Sequence, residues 1–249
     1  MSSLSSDILV TPQDLYSQIS NTSSTVPYNT GTPQLGVRAV AGDGREFRYV
    51  QAGGTALAIG TLQQSSAEIA NHQNLTPTAA TVAGATSITV TLGNTLATAN
   101  QYLGGWVLVT TGAGAGYQYQ IAGNPAAIAS ATLVLSLVDP IQVATNTSTT
   151  KIDLIANPYS GVIINPATAS SAPVGVAIYP VTASYYGWVQ TRGVSNVLAD
   201  GAITVGTTLV ASNGTAGAVE PFAGVQAIVG LAVTDIDTTQ YGAVSLLLD

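Results

Sequence analysis

Three stretches of this sequence carry residue types that chemistry could use. His72 is the only histidine, in Asn71-His72-Gln73-Asn74, and no nucleophile motif surrounds it. Nucleophilic catalysis needs a base beside the nucleophile, so the expectation for His72 is a surface or interface position. Asp235-Ile236-Asp237 puts two carboxylates on one side of a strand, or in a loop. Such pairs can bind calcium or move protons, but no further acidic ligand lies nearby and a solvated loop is expected. Gly112-Ala113-Gly114-Ala115-Gly116 resembles a phosphate-binding glycine loop in spacing alone. That loop needs a helix after it, whereas Tyr117-Gln118-Tyr119-Gln120 alternates as a strand, so a turn is expected. There is no Gly-Lys-Ser/Thr loop, zinc-ligand cluster or Gly-x-Ser-x-Gly elbow, and the cysteine count is 0. No catalytic residue, cofactor site or metal site is therefore assigned, and the chain reads as a non-enzyme.

The remaining concentration of unusual residues is Tyr185, Tyr186 and Trp188, with Arg192 close behind. Aromatics with polar tips pack cores, line protein interfaces or stack on sugars. All three readings stay open for this cluster. Arg38, Arg45 and Arg48 are expected to pair with Asp43 and Glu46 beside them. Only 7% of residues are charged and the net charge is −7. Nucleic-acid binders carry broad basic faces, so direct nucleic-acid contact is not expected. A surface this neutral is covered by Thr, Ser, Asn and Gln or buried against partners, which points towards an assembly component.

The elements that position these residues read as strands. Residues 37–40 and 46–50 flank Asp43-Gly44, a strong hairpin signal. Residues 87–92 alternate cleanly, and 106–110, 117–121, 132–138, 151–155 and 161–164 add further strands. Residues 69–138 hold no Asp, Glu, Lys or Arg. Such an uncharged β stretch risks edge-to-edge association, a risk that falls if its edges are already paired in an oligomer. Residues 187–190 and 194–198 read as two separate strands, followed by 203–205, 208–210, 227–233 and 243–248. Strand spacing of this kind suits a barrel or sandwich. Residues 1–36 read as an arm: Thr11-Pro12-Gln13-Asp14 can start a short helix to about residue 20. Leu15 and Tyr16 on that helix, and Tyr28 in the polar segment after it, are candidate contact residues. The N-terminus lacks the basic and apolar regions of a secretory signal. No apolar run approaches the roughly 20 residues of a membrane helix.

The closing third also carries a resemblance. Val189-Gln190-Thr191-Arg192-Gly193-Val194 is followed by Gly201-Ala202-Ile203-Thr204-Val205-Gly206-Thr207-Thr208-Leu209-Val210. Then come Gly217-Ala218-Val219, Ile228-Val229-Gly230-Leu231-Ala232 and Val244-Ser245-Leu246-Leu247-Leu248. This resembles the capsid decoration (cement) proteins of tailed bacteriophages, as does the strand at Gly60-Thr61-Leu62. The resemblance implies a small β-barrel, frequently a homotrimer, that binds the major capsid protein on the capsid exterior and stabilises the shell. An extended terminal arm would reach over neighbouring subunits. Leu15, Tyr16, Tyr28, Tyr185, Tyr186, Trp188 and Arg192 become candidate interface residues. The uncharged middle does not fit the small members of that family. The expected organisation is an all-β chain: an arm over 1–36, the first part of a β domain over 37–75, an inserted or second β module over 76–159, and the barrel's remainder over 160–249. The alternative is a carbohydrate-binding or adhesive component of a head fibre or tail fibre.

Overall fold

The computed structural model describes residues 8–9, 15–17, 33–224 and 226–249. The chain is all-β. Its strands are β1 (Ile8–Leu9), β2 (Arg38–Val40), β3 (Glu46–Gln51), β4 (Leu62–Gln64), β5 (Ser87–Thr91), β6 (Trp106–Thr111), β7 (Gln118–Gly123), β8 (Thr132–Leu137), β9 (Lys151–Ile155), β10 (Ile163–Ile164), β11 (Pro173–Ala177), β12 (Tyr186–Leu198), β13 (Thr208–Ala211), β14 (Val219–Pro221), β15 (Ile228–Ala232) and β16 (Tyr241–Leu247). They form two compact units. One takes the chain up to Ser66 and again from Pro158; the other is Ala67–Asn157. The boundary therefore falls before residue 76, because 67–75 are bonded into the insert. Leu75 and Ile152 exchange backbone hydrogen bonds of 2.8 and 2.9 Å, and the Gln73 amide donates to Leu154 O at 3.0 Å. Of the helix expected near residue 15, only Leu15, Tyr16 and Ser17 are described, and Tyr28 lies outside the described residues.

In the discontinuous unit, the strand order is β1-β2-β3-β12-β16-β15-β13-β14, with β11, β4 and β10 joined beside β12. This sheet curls until its ends meet. Leu62 N–H donates to Gly217 O, and Gly217 N–H to Asn165 O, both at 2.8 Å. Gly217 has φ +73, and a Cβ there would stand 2.7 Å from Thr61 Cβ, so only glycine permits this closure. The curl gathers Leu62, Val176, Val197, Leu209, Val219, Val229, Val244 and Leu246 into one core.

The long strand β12 corrects the expectation of two separate strands at 187–190 and 194–198. The chain runs straight through as 13 residues. Gly193 holds φ +83 inside the strand, and the pairing with β3 shifts register between Gln190 and Arg192. Glycine there marks a bulge and not a strand end. The bulge lets one strand serve two neighbours: β3 lies along Tyr186–Arg192 and β16 along Arg192–Leu198.

The insert is an antiparallel sheet in the order β5-β8-β7-β6-β9. Residues 75–78 close it. Leu75 bridges Ile152 of β9, while Pro77 bridges Val90 of β5. Thr78 N–H donates to Thr89 O at 2.9 Å. Both outer edges are thus paired within the unit, so the edge-to-edge risk read from the sequence is met without any second chain. Ile88, Val90, Val107, Tyr119, Ile121, Leu133, Leu135, Ile152 and Leu154 fill the interior.

One corner device recurs three times, each time as a facing pair. Leu57 bridges Val181, Ala97 bridges Ala127, and Ile203 bridges Ile236. Three residues after each bridging residue sits a left-handed one: Gly60, Ser184, Asn100, Ser130, Gly206 and Thr239. The N–H of that residue reaches back to the strand leading into the facing corner, as in Gly206 to Ala232 O at 2.8 Å and Thr239 to Ala199 O at 3.2 Å. The spacing is legible once known: an apolar residue, then Gly, Ser, Asn or Thr three positions on. The residue types hide the recurrence, because four different ones fill the left-handed position.

Candidate interaction surface

The expected site residues separate into buried and exposed groups. Leu15 and Trp188 are 1% and 5% exposed. They pack with Phe47, Tyr49 and Ile178 in a core cluster, and Trp188 meets the Tyr49 ring edge-on at 5.0 Å. Their surface is used by the chain's own core, so neither serves as an interface residue, and Trp188 offers no platform to a sugar. Tyr186 is half-buried and stacks on Tyr49 with centroids 5.9 Å apart. Tyr185 packs against the cluster of Val50, Ala52, Leu57 and Val181. Burial pushes the Tyr49 and Tyr186 phenols above their ordinary range. Tyr16 and Arg192 remain exposed, and Arg192 has no ion pair among the described residues.

His72 is fully buried, which overturns the surface expectation. One ring nitrogen, Nδ1, is bonded to the Tyr102 hydroxyl. The other, Nε2, faces Thr95 O at 2.9 Å. A carbonyl only accepts, so Nε2 carries the proton and Nδ1 accepts from Tyr102 in the neutral ring. The histidine is a structural cross-tie of the insert. Two arginines pair as expected, Arg45 with Asp43 at 2.7 Å and Arg38 with Glu46 at 2.9 Å. Arg48 instead grips Asp249, at 2.8 and 3.2 Å. Arg38 and Arg48 sit directly opposite on β2 and β3, and separate carboxylates relieve that like-charge contact. Asp235 accepts the Val205 N–H at 2.7 Å and ties a loop. The glycines 112, 114 and 116 all have positive φ in the β6–β7 turn.

What the sequence reading missed is the outward side of the curled sheet. Val194 lies opposite Ser245, Ser245 opposite Leu231, and Leu231 opposite Thr208. Directly opposite residues share a face, so these form one row. Phe222 extends it beyond β14, donating its N–H to Thr208 O at 2.9 Å. Val194, Leu231 and Phe222 are 53%, 42% and 52% exposed. With strands about 4.8 Å apart, the row crosses five chain segments, roughly 19 Å. Leu247, 52% exposed, stands opposite Arg192 in the next row. Large exposed apolar residues in register on adjacent strands mark a contact face more readily than scattered ones.

A cleft of about 340 Å³ opens beside this face. Its walls include Tyr16, Ile59, Val194 and Tyr241, with Gln190 and Arg45 at its lining. Gly60, at φ +70, lets the Tyr241 ring lie against the backbone: a Cβ would stand 2.6 Å from Cε1. The Gln190 amide donates to Arg192 O and Val194 O, both at 3.0 Å. Comparison with known protein families, with curated proteins and with solved structures returns no match to this chain.

Proposed function

We propose that this chain is a structural virion protein that binds the outside of a bacteriophage capsid and stabilises the shell, as a decoration protein. The observation that carries this reading is the outward row of Val194, Leu231 and Phe222 with its neighbour Leu247. It sets three large exposed apolar side chains in one row, with Leu247 beside them, on a chain of which only 7% of the residues are charged. The resemblance of the closing strands to decoration proteins supplies the partner: the major capsid protein, with the chain itself acting as a homotrimer. A protein that bridges several subunits at once binds only the assembled shell. It stabilises that state by mass action and by multivalency. Tyr16 and Arg192, exposed and unabsorbed by the core, are the contact residues retained from the sequence reading.

The test is co-sedimentation of the purified chain with undecorated shells and, separately, with free capsid subunits. Binding is expected to shells alone, and shells carrying the chain are expected to melt at higher temperature. Leu231→Asp is expected to lower the amount bound while the free protein melts as before. A chain that fails to sediment with any undecorated shell ends this reading.

A further inference from the structure

The loop between β13 and β14 holds a chain of hydrogen bonds with one direction. Ser212 Oγ accepts the N–H groups of Gly214 and Thr215 at 3.0 and 2.9 Å. It donates its own proton to Asp200 Oδ2 at 2.5 Å. A hydroxyl has one donor and two acceptor sites. These three bonds therefore use all of Ser212 and run one way, from the Gly214 N–H through the hydroxyl to the carboxylate. Ser212 is buried, and its own N–H donates to Ala218 O at 3.0 Å, so the relay is held in place. A Cβ on Gly214 would stand 2.7 Å from Asp200 Oδ2, so the missing side chain leaves the carboxylate its place against the main chain. Directly before Gly214 stands Asn213, which is exposed. Asn213-Gly214 is the only Asn-Gly pair in the sequence.

We propose that Asn213-Gly214 is a self-modification site, at which the folded chain converts Asn213 to isoaspartate and aspartate with Asp200 as the proton acceptor. The Gly214 nitrogen attacks Asn213 Cγ. A bond forms between them, the Cγ–Nδ2 bond breaks, and a five-membered succinimide closes. The Gly214 proton passes through Ser212 to Asp200, and Nδ2 leaves as ammonia after taking up that proton. Water, the only co-reactant, then opens the ring at either carbonyl: attack at Cγ gives aspartate, and attack at the main-chain carbonyl gives isoaspartate. An amide nitrogen is a poor nucleophile until a base within hydrogen-bond reach takes its proton. Asp200 alone would oppose a full anion on that nitrogen, and moving the proton as the new bond forms avoids that charge. The product places a second carboxylate beside Asp200. As isoaspartate it also adds a methylene to the main chain shortly before Gly217, whose N–H and carbonyl close the curled sheet. The modification thus loosens the closure with age. None of this depends on the decoration reading.

The test is incubation of the full chain at neutral pH, followed by peptide mass mapping, with isoaspartate assigned by enzymatic methylation of its carboxylate. Asn213 is expected to convert ahead of every other asparagine. It is expected to convert at least about tenfold faster in the folded chain than in the same chain unfolded in urea, the low end of what a positioned base contributes. Ser212→Ala and Asp200→Ala are each expected to slow the folded chain by about that factor. Added formate is expected to restore part of the rate to Asp200→Ala and to leave the wild type unchanged. A merely structural role for the two residues predicts the opposite sign, since a loosened loop reaches the ring-closing geometry more often. Wild-type protein that converts no faster folded than in urea overturns the proposal, and so do variants that convert as fast as the wild type. A slowed Asp200→Ala that formate does not rescue overturns the role of Asp200 as proton acceptor. If the variants fail to fold, the comparison of folded with unfolded wild type decides alone.

Discussion

Thr239 offers a clean measure of what the corner device costs. It holds φ 65, while the equivalent residue of the facing corner is Gly206 at φ 81. A left-handed backbone costs an L-residue roughly 1–2 kcal/mol, and a β-branched residue is the least suited to it. Thr239 is exposed, so its side chain contributes no burial to offset this. Thr239→Gly removes the strain but gives the unfolded chain more freedom, worth about 0.5–1 kcal/mol. The net expectation is a gain of about 0.5–1 kcal/mol. In a domain of this size that raises the melting temperature by roughly 1–4 °C. Gly206→Thr is the matched reverse. An added Cβ there meets nothing within 4 Å, so its cost is conformational alone: roughly 1–2 kcal/mol of left-handed strain, offset by about 0.5–1 kcal/mol from the stiffer unfolded chain, a net loss of about 0.5–1 kcal/mol. Both are read by thermal and urea unfolding of the full chain, with circular dichroism confirming an unchanged fold. If Thr239→Gly destabilises while Gly206→Thr is neutral, the left-handed positions are not strained and the reasoning fails.

Three further outcomes follow from the packing. His72→Ala removes the ring's bonds to the Tyr102 hydroxyl and the Thr95 carbonyl in a buried site, and should destabilise the insert by about 2–4 kcal/mol, seen as an earlier unfolding transition. Gly230→Ala drives a Cβ into the Ser245 carbonyl across the β15–β16 pair, and should cost about 3 kcal/mol or more, read as a lowered urea midpoint. Burial raises the Tyr49 and Tyr102 phenols, so the folded state holds these protons more tightly than the unfolded state. Their contribution is fully present below about pH 10, the ordinary tyrosine value, and is lost as pH climbs above it. Melting temperatures measured at rising alkaline pH should fall together with the onset of phenolate absorbance.

The strands themselves were open to a reading of the sequence. Ser87 to Thr91 alternates exposed and buried as its residue types do, and Asp43-Gly44 turns β2 into β3. Long-range pairing was not open to it. Pro77 looks like a loop residue, yet its bridge to Val90 helps close the insert. Gly193 has the composition of a turn, and only the register of β3 and β16 makes it a bulge. His72 sits among Asn and Gln, and nothing local announces that Tyr102 and Thr95 enclose it. The candidate surface was harder still. Trp188 stands out by rarity but is buried, whereas Val194, Leu231 and Phe222 are ordinary residues made conspicuous by lying in one row.

The insertion also sets the order in which the chain can be completed as it is made. β3 at Glu46–Gln51 pairs early with β2 but gains its second neighbour only when β12 at Tyr186–Leu198 has been synthesised. The insert needs nothing beyond Asn157. During synthesis the inserted unit can therefore close while the earlier strands of the discontinuous unit still wait, with one edge and their apolar faces uncovered. Slow, non-local β pairing of this kind exposes a nascent chain to aggregation. The near absence of charge leaves little to repel a neighbour at that stage, so the yield of folded protein should depend on synthesis rate and chaperone supply more steeply than its final stability would suggest.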